Sequence, residues 1–142
     1  MAPGRRLRAA LVGLRYDPAY RYLLAPAYLK AYADSRPEVA ARWDVRVHQR
    51  RAQEDAAAVA EAVLRDRPDL VGLSVYVWNV EAVGRLAAEL KRRRPGLTVV
   101  VGGPEAGPQA EAVLASWRAV DLVCTGEGEA AFADLLARLA DG

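Results

Sequence analysis

Cysteine and histidine are almost missing from this sequence, which has Cys124 and His48 as the one residue of each type in 142 positions. A lone cysteine cannot form a disulfide within the chain. It also cannot supply an all-cysteine zinc or iron–sulfur site. We therefore expect a domain that folds without a disulfide or a structural metal.

Long apolar runs and an excess of charge of one sign are missing as well. The run Leu11–Leu14 is too short for a secretory signal, and nothing approaches the length of a membrane-spanning helix. There are 20 Lys and Arg residues against 18 Asp and Glu residues, a formal net charge of +2. That balance gives no reason to invoke nucleic acid or an anionic membrane as a partner. We expect a cytoplasmic protein.

What the sequence does contain is five short apolar runs that alternate with helical patterns. The length and a hydrophobic content of 53% suit one domain over residues 1–142. The third and fourth runs are nearly continuous in apolar residues, which is typical of parallel strands covered on both faces. The five runs are Leu7–Leu14, Trp43–Val47, Leu70–Val75, Leu97–Val101 and Leu122–Cys124.

Helical spacing of apolar residues fills the segments between these runs. Asn79 stands where a helix N-cap is expected, and Pro37, Pro68 and Pro95 mark helix ends. The predicted helices lie within 20–31, 59–64, 80–90, 108–117 and 132–139. This β-α alternation predicts an α/β fold, a doubly wound, five-stranded parallel sheet of the flavodoxin-like or Rossmann-like type with strand order 2-1-3-4-5.

Four loops at the carboxyl ends of the predicted strands carry unusual residues, and ligands bind at that edge of open α/β sheets. Two of these loops contain glycine pairs, Gly102–Gly103 and Gly126 with Gly128, that let a bulky ligand approach the backbone. The same glycines could instead serve tight turns. Ser74 ends a buried strand and could bind either a ligand or local backbone. The loops match neither GxGxxG nor GxxxxGK[ST], so the fingerprints of NAD and P-loop proteins are missing.

The aromatic and acidic residues of these loops also allow two interpretations. Trp78 suits either the core or the wall of a planar ligand site. Glu105, Glu127 and Glu129 could act as paired acids, but the last two better fit carboxylates at a helix start. His48 is expected to end the second strand, away from the crevice.

Taken together, these segments resemble the N-terminal cobalamin-binding domain of radical S-adenosylmethionine (SAM) enzymes. Asp69–Asn79 (DLVGLSVYVWN) resembles the third strand and loop of that family, and Val99–Glu105 (VVVGGPE) resembles its GGPE loop. Asp121–Glu129 (DLVCTGEGE) resembles its GEGE motif, and Leu24–Tyr32 (LAPAYLKAY) is similar to its first helix. The resemblance implies cobalamin as cofactor, and in the full enzyme SAM and a [4Fe–4S] cluster in a separate catalytic domain.

The sequence departs from the family pattern in two places. Many cobalamin-binding domains carry an Asp-x-His-x-x-Gly loop after the first strand, whose histidine ligates cobalt, and no histidine occurs there in this chain. Arg21 lies near where some relatives have one, and arginine cannot ligate a metal. The Cys-x-x-x-Cys-x-x-Cys motif of the catalytic domain is also missing, so we expect this chain to contain the binding domain alone, with no catalytic residues of its own. The radical SAM domain would act in cis or in trans.

The resemblance implies a methyl-transfer enzyme of the class B type, with cobalt lacking a histidine from the protein below it. The alternatives are a degenerate Rossmann-like domain that docks a partner without a ligand, and a flavodoxin-like nucleotide or flavin binder. The predicted cofactor-binding residues are Tyr16, Arg21, Ser74, Tyr76, Val77, Trp78, Asn79, Gly102, Gly103, Pro104, Glu105, Gly126, Glu127 and Gly128.

Overall fold

The computed structural model describes residues 4–16 and 22–142, which form five strands and six helices. The strands are β1 (Leu7–Arg15), β2 (Trp43–Arg51), β3 (Leu70–Ser74), β4 (Thr98–Gly102) and β5 (Leu122–Val123). The helices are α1 (Leu24–Ser35), α2 (Pro37–Ala40), α3 (Ala56–Leu64), α4 (Val80–Arg93), α5 (Ala110–Ser116) and α6 (Gly128–Asp141). A short 3₁₀ turn, Gly107–Gln109, precedes α5.

The strands form one parallel sheet in the order β2-β1-β3-β4-β5, which confirms the predicted doubly wound topology. Because all strands run the same way, their carboxyl ends meet at one edge of the sheet. The register places Gly72 of β3 between Leu11 of β1 and Val100 of β4. These three residues therefore form one row across the middle of the sheet.

Helices cover both faces of the sheet, and each face has its own core. Helices α3 and α4 pack on one face, where the buried residues include Val63, Leu86 and Leu90. Helices α1 and α6 pack on the other, with Phe132 and Leu136 of α6. Since both faces are buried, β3 is buried along its whole length. None of the described helices is long and apolar enough to cross a lipid bilayer.

Two strand ends differ from the prediction. Strand β2 continues to Arg51 rather than stopping near Val47, because pairing with β1 depends on backbone hydrogen bonds and not on apolar side chains. His48 consequently lies inside β2 and not at its end. Strand β5 stops at Val123, so Cys124 lies just beyond the strand and is only partly buried.

The predicted apolar face of the first helix is also wrong, although helix α1 itself is confirmed. The sequence spacing predicts one apolar face made of Tyr20, Leu23, Leu24, Ala27, Tyr28 and Ala31. Leu23, just before α1, is buried, but Leu24 and Tyr28 are 61% and 57% exposed. The buried residues of α1 are Pro26 and Ala33. Pro26 lies against Gly13 of β1, and Ala33 belongs to the core shared with α6, so tertiary packing selects a face that hydrophobicity alone does not indicate. Tyr20, also assigned to this helix, lies outside the described residues.

Candidate cofactor-binding site

A crevice opens at the carboxyl edge of the sheet, between helices α1 and α6, and encloses about 120 Å³. Strands β1, β3 and β4 form its floor, and α1 and α6 form its walls. Five of the predicted site residues line it: Ser74, Gly102, Gly103, Gly126 and Gly128. The sequence interpretation that Ser74 and the two glycine loops converge on one place is thus consistent with the geometry.

Other residues of the crevice were missed by sequence reasoning. They are mostly apolar and sit deeper, and they include Leu11, Leu29, Gly72, Cys124, Glu129 and Phe132. One signal for them was present in the sequence: Gly72 interrupts an otherwise aliphatic strand, which often marks a place where another group approaches the backbone. A Cβ atom at Gly72 would lie 2.7 Å from Leu11 Cδ2, so the glycine lets that side chain lie across β3.

Ser74 is the polar group that best fits a ligand in this crevice. Its side chain alternates with those of Val71, Leu73 and Val75 and so faces helices α1 and α6. The residue is 7% exposed, and within the described part of the chain its hydroxyl has no hydrogen-bond partner. The hydroxyl therefore does not bond the local backbone, which was the alternative interpretation. The buried side-chain atoms that lack a partner in the described part of the chain are Arg15 Nε and Arg50 Nε, so the Ser74 hydroxyl is open to the crevice and not sealed in the core.

The loop glycines differ in what they contribute. Gly103 has φ +107°, and a Cβ atom there would lie 2.6 Å from Val75 O, so the turn itself requires glycine. Gly102 has no such requirement, because its Cβ would make ordinary contact with Cys124 at 3.5 Å. Gly126 has φ +71° but open space beside it. Gly102 and Gly126 therefore leave room that packing within the protein does not use.

An aromatic cluster lies at the same edge, outside the crevice. The rings of Tyr76 and Trp78 stack with centroids 5.0 Å apart and planes 8° from parallel. Tyr16 meets Trp78 edge-on at 6.0 Å. Partial burial raises the pKa of the Tyr76 hydroxyl, which keeps this group protonated. Val77, between the stacked rings in sequence, is 72% exposed.

Asn79 lies beneath this cluster and is 1% exposed. It occupies the N-cap position of α4, as predicted, but its side chain makes no capping hydrogen bond. Its amide instead bonds backbone groups of Leu14, Ser74 and Tyr76. Both polar atoms of the side chain are thus committed to the protein rather than directed at the crevice.

The remaining predicted residues occupy different surroundings. Pro104 lines a second, shallower hollow together with Gly103 and Gly126. Glu105 does not line the crevice, and its carboxylate accepts a long hydrogen bond from Gln109, 3.3 Å from Nε2. Glu127 precedes α6 without capping it, which leaves the first backbone N–H groups of that helix without a side-chain acceptor from this residue. Arg21 lies outside the described residues.

The sheet order and the crevice at its carboxyl edge define a doubly wound α/β domain with an open cleft at the edge where ligands bind in this class of fold. The particular family follows from sequence comparison. The model of the B12 binding domain matches residues 26–136, so the chain belongs to this family. Cobalamin is therefore the cofactor of this domain.

Two characterised relatives are methyltransferases. One is the 2-(S-pantetheinyl)-carbapenam-3-carboxylate methyltransferase of Streptantibioticus cattleyicolor, 38% identical over 122 residues. The other is the cobalamin-dependent radical SAM methyltransferase TokK of Streptomyces tokunonensis, 34% identical over 122 residues. Both alignments cover 83% of this chain but only 17% of the relative, so the chain spans about one sixth of their length.

Among solved structures, the chain is similar to OxsB, a cobalamin-dependent S-adenosylmethionine radical enzyme with aqua-cobalamin and S-adenosylmethionine bound. The TM-score is 0.73 at 19% identity, over 96% of this chain and 19% of that one. At this identity the likeness supports the fold, and it agrees with the family assignment made from sequence.

The residues present fit a cobalamin tail on structural grounds. The mainly apolar lining suits a flat aromatic base, and the orphaned Ser74 hydroxyl is a ready donor or acceptor for polar tail atoms. Within residues 4–16 and 22–142, no three His, Cys, Asp or Glu side chains are grouped so that they could hold a metal ion.

Proposed function

We propose that this domain holds cobalamin with its nucleotide tail in the crevice between α1 and α6, as the binding module of a radical SAM methyltransferase. The observation that carries this placement is the Ser74 hydroxyl, 7% exposed and without a partner among the described residues, at the floor of that crevice. A hydroxyl that opens into the crevice and that no protein group uses can donate a hydrogen bond to a polar ligand atom or accept one from it.

Each part of the site then has a defined task. The apolar floor and walls exclude water from the tail, and Gly102 and Gly126 admit it close to the backbone. The open N–H groups at the start of α6 suit the negatively charged phosphate of the tail. Tyr76, Trp78 and Tyr16 offer an aromatic surface on which the corrin ring lies at the sheet edge.

Cobalamin supplies a cobalt centre that carries a methyl group, and this domain's part is to bind and orient it. The catalytic domain, with SAM and a [4Fe–4S] cluster, would be provided in cis or in trans. The relatives support this division, because the matched segment makes up only 17% of their length.

We further propose that no protein imidazole lies below the cobalt. His48 is the sole histidine of the chain, its Nε2 lies 2.9 Å from Asp66 Oδ2, and it does not line the crevice. With the tail held in the crevice, the cofactor's own base is also withdrawn from the metal.

Retention of the cofactor tests the main proposal. Purified protein is mixed with hydroxocobalamin, free cofactor is removed on a desalting column, and the absorbance of the retained fraction is recorded. We expect about one equivalent to be retained, and none of flavin mononucleotide in a parallel sample. Retention of flavin but not of cobalamin, or of neither, would contradict the proposal.

Electron paramagnetic resonance of the cobalt(II) form tests the lower face. We expect no splitting from an axial nitrogen. A nitrogen splitting would overturn this part of the proposal, and comparison with a His48→Ala variant would tell whether the nitrogen belongs to the protein or to the cofactor.

A further inference from the structure

Two amide side chains, Gln49 and Asn79, bind backbone groups at the carboxyl edge of the sheet, one on each side of the proposed site. Neither residue lines the crevice. Each makes hydrogen bonds with both its carbonyl oxygen and its amide nitrogen. We call this pair the amide clasps.

The Asn79 clasp joins three separate pieces of backbone. Its Nδ2 donates to Leu14 O at 3.0 Å and to Ser74 O at 3.2 Å, and its Oδ1 accepts from Tyr76 N at 2.8 Å. The ends of β1 and β3 are thereby linked to Tyr76, the first residue of the segment Tyr76–Trp78, which we call the aromatic loop. With Asn79 1% exposed, no water can replace these bonds without opening the loop.

The Gln49 clasp fixes the entry to helix α1. Its Oε1 accepts from Leu23 N at 3.1 Å, and its Nε2 donates to Leu23 O at 2.8 Å. Leu23 is the residue immediately before α1, whose Ala25 and Leu29 form one wall of the crevice. A Cβ atom at Gly13 would lie 3.1 Å from Gln49 Oε1, so the absence of a side chain at this position of β1 gives the Gln49 amide enough space.

These bonds join backbone groups at the points where the chain leaves β1 and β3 and where it enters α1. Without them the aromatic loop and the start of α1 would sample more conformations. Binding a large ligand would then have to order those segments, and the entropy lost in doing so would weaken the affinity. The clasps thus act on the loops that bear the site and not on the ligand.

We propose that Gln49 and Asn79 are positioning residues for cobalamin, holding the α1 wall and the aromatic loop in the arrangement that binds it. This inference rests on the proposed placement of the cofactor. The sequence pattern predicted that Asn79 contacts the cofactor, and the inference gives it a positioning role instead. It also adds Gln49, which belongs to no sequence motif.

The test compares Asn79→Ala, Gln49→Ala and Gln49→Glu with a control, Val63→Ala. Val63 is fully buried on the opposite face of the sheet, so its truncation destabilises the protein without touching either clasp. Cobalamin dissociation constants are measured at a temperature where every variant is folded. Near-ultraviolet circular dichroism of the cofactor-free proteins reports on the stacked Tyr76 and Trp78 rings.

We expect each alanine variant of a clasp to bind cobalamin about tenfold or more weakly, which corresponds to the loss of one or two hydrogen bonds and of loop order. Gln49→Glu keeps the acceptor for Leu23 N and should lose less affinity than Gln49→Ala. Asn79→Ala should weaken the near-ultraviolet signal, whereas Val63→Ala should leave both signal and affinity unchanged.

Clasp variants that bind as tightly as Val63→Ala would overturn the inference, even if their melting temperatures fall. If Asn79→Ala does not fold, the Gln49 pair decides the matter. A native protein that retains no cobalamin would overturn the proposed function instead. Even if no cobalamin binds, an unaltered near-ultraviolet signal in Asn79→Ala would show that Asn79 does not hold the aromatic loop in place.

Discussion

The two faces of the sheet are built differently, although the same strands form both. At the carboxyl edge of the face covered by α3 and α4, the hollow lined by Leu14, Val59 and Leu86 holds about 10 Å³. On the face covered by α1 and α6, the crevice holds about 120 Å³. One face therefore supplies close packing, and the other keeps a gap that a ligand can fill.

Strand β3 carries this difference in five residues. Val71 and Leu73 face α3 and α4, whereas Gly72 and Ser74 face α1 and α6. On the side of α1 and α6 the strand changes from the aliphatic Leu70 at its amino end to the small residues Gly72 and Ser74 toward its carboxyl end. Stability and binding can then be changed independently, and substitutions on the two faces should reveal this.

The largest effect on stability is expected for Leu90→Ala on the packed face. Leu90 is fully buried between α4 and the sheet, so its truncation should lower the free energy of unfolding by about 2–5 kcal/mol. Urea denaturation measures this loss, and cobalamin titration of the folded variant should give an unchanged affinity. A large loss of affinity would mean that the two faces are coupled.

Gly103→Val should lower both stability and cobalamin affinity, because Gly103 forms a tight turn and also lines the crevice. If Gly103 served only the approach of a ligand, valine here would weaken binding and leave the fold intact, but the geometry of the turn contradicts this. A valine would need φ +107° and would place its Cβ 2.6 Å from Val75 O. We expect a loss of about 1–3 kcal/mol from the backbone conformation, before the steric clash is added. Thermal denaturation that matches the native protein would refute this account of the turn.

Gly102→Ala should separate binding from stability. Gly102 does not have a positive φ, and the added Cβ would contact Cys124 at an ordinary 3.5 Å. The free energy of unfolding should stay the same or rise by up to about 1 kcal/mol. Cobalamin affinity should nevertheless fall, because the methyl group occupies space in the crevice. Unchanged affinity in this variant would place the cofactor elsewhere.

The sequence predicted the sheet order and the convergence of Ser74 with the glycine loops, since these depend on topology and on turn chemistry. It did not predict which face of α1 is buried, because Tyr28 is apolar enough for the core yet is 57% exposed, whereas the smaller Pro26 and Ala33 are buried. The roles of Gln49 and Asn79 were also hidden, because each contacts backbone groups whose identity no residue pattern encodes. Long-range contacts of this kind become visible only in three dimensions.

The smallest effect on stability is expected at Cys124, which lies on the open face. The sequence suggested a small hydrophobe that closes a buried strand, whereas the structure places Cys124 beyond β5 and among the residues of the crevice. Its sulfur has no hydrogen-bond partner within the described part of the chain. Cys124→Ser should therefore change both the free energy of unfolding and cobalamin affinity little, by less than about 1 kcal/mol each.

The reactivity of Cys124 nevertheless reports on the crevice. Burial raises the pKa of its thiol, so little thiolate exists at neutral pH and a thiol reagent should react slowly. The rate should rise about tenfold per pH unit until the raised pKa is reached. Because the folded state holds this proton more tightly than the unfolded chain, the stability it contributes is complete below about pH 8.5 and is lost as the pH rises through the folded pKa. Bound cobalamin should protect the thiol, whereas equal labelling rates with and without cofactor would show that the crevice stays open to solvent and the tail binds elsewhere.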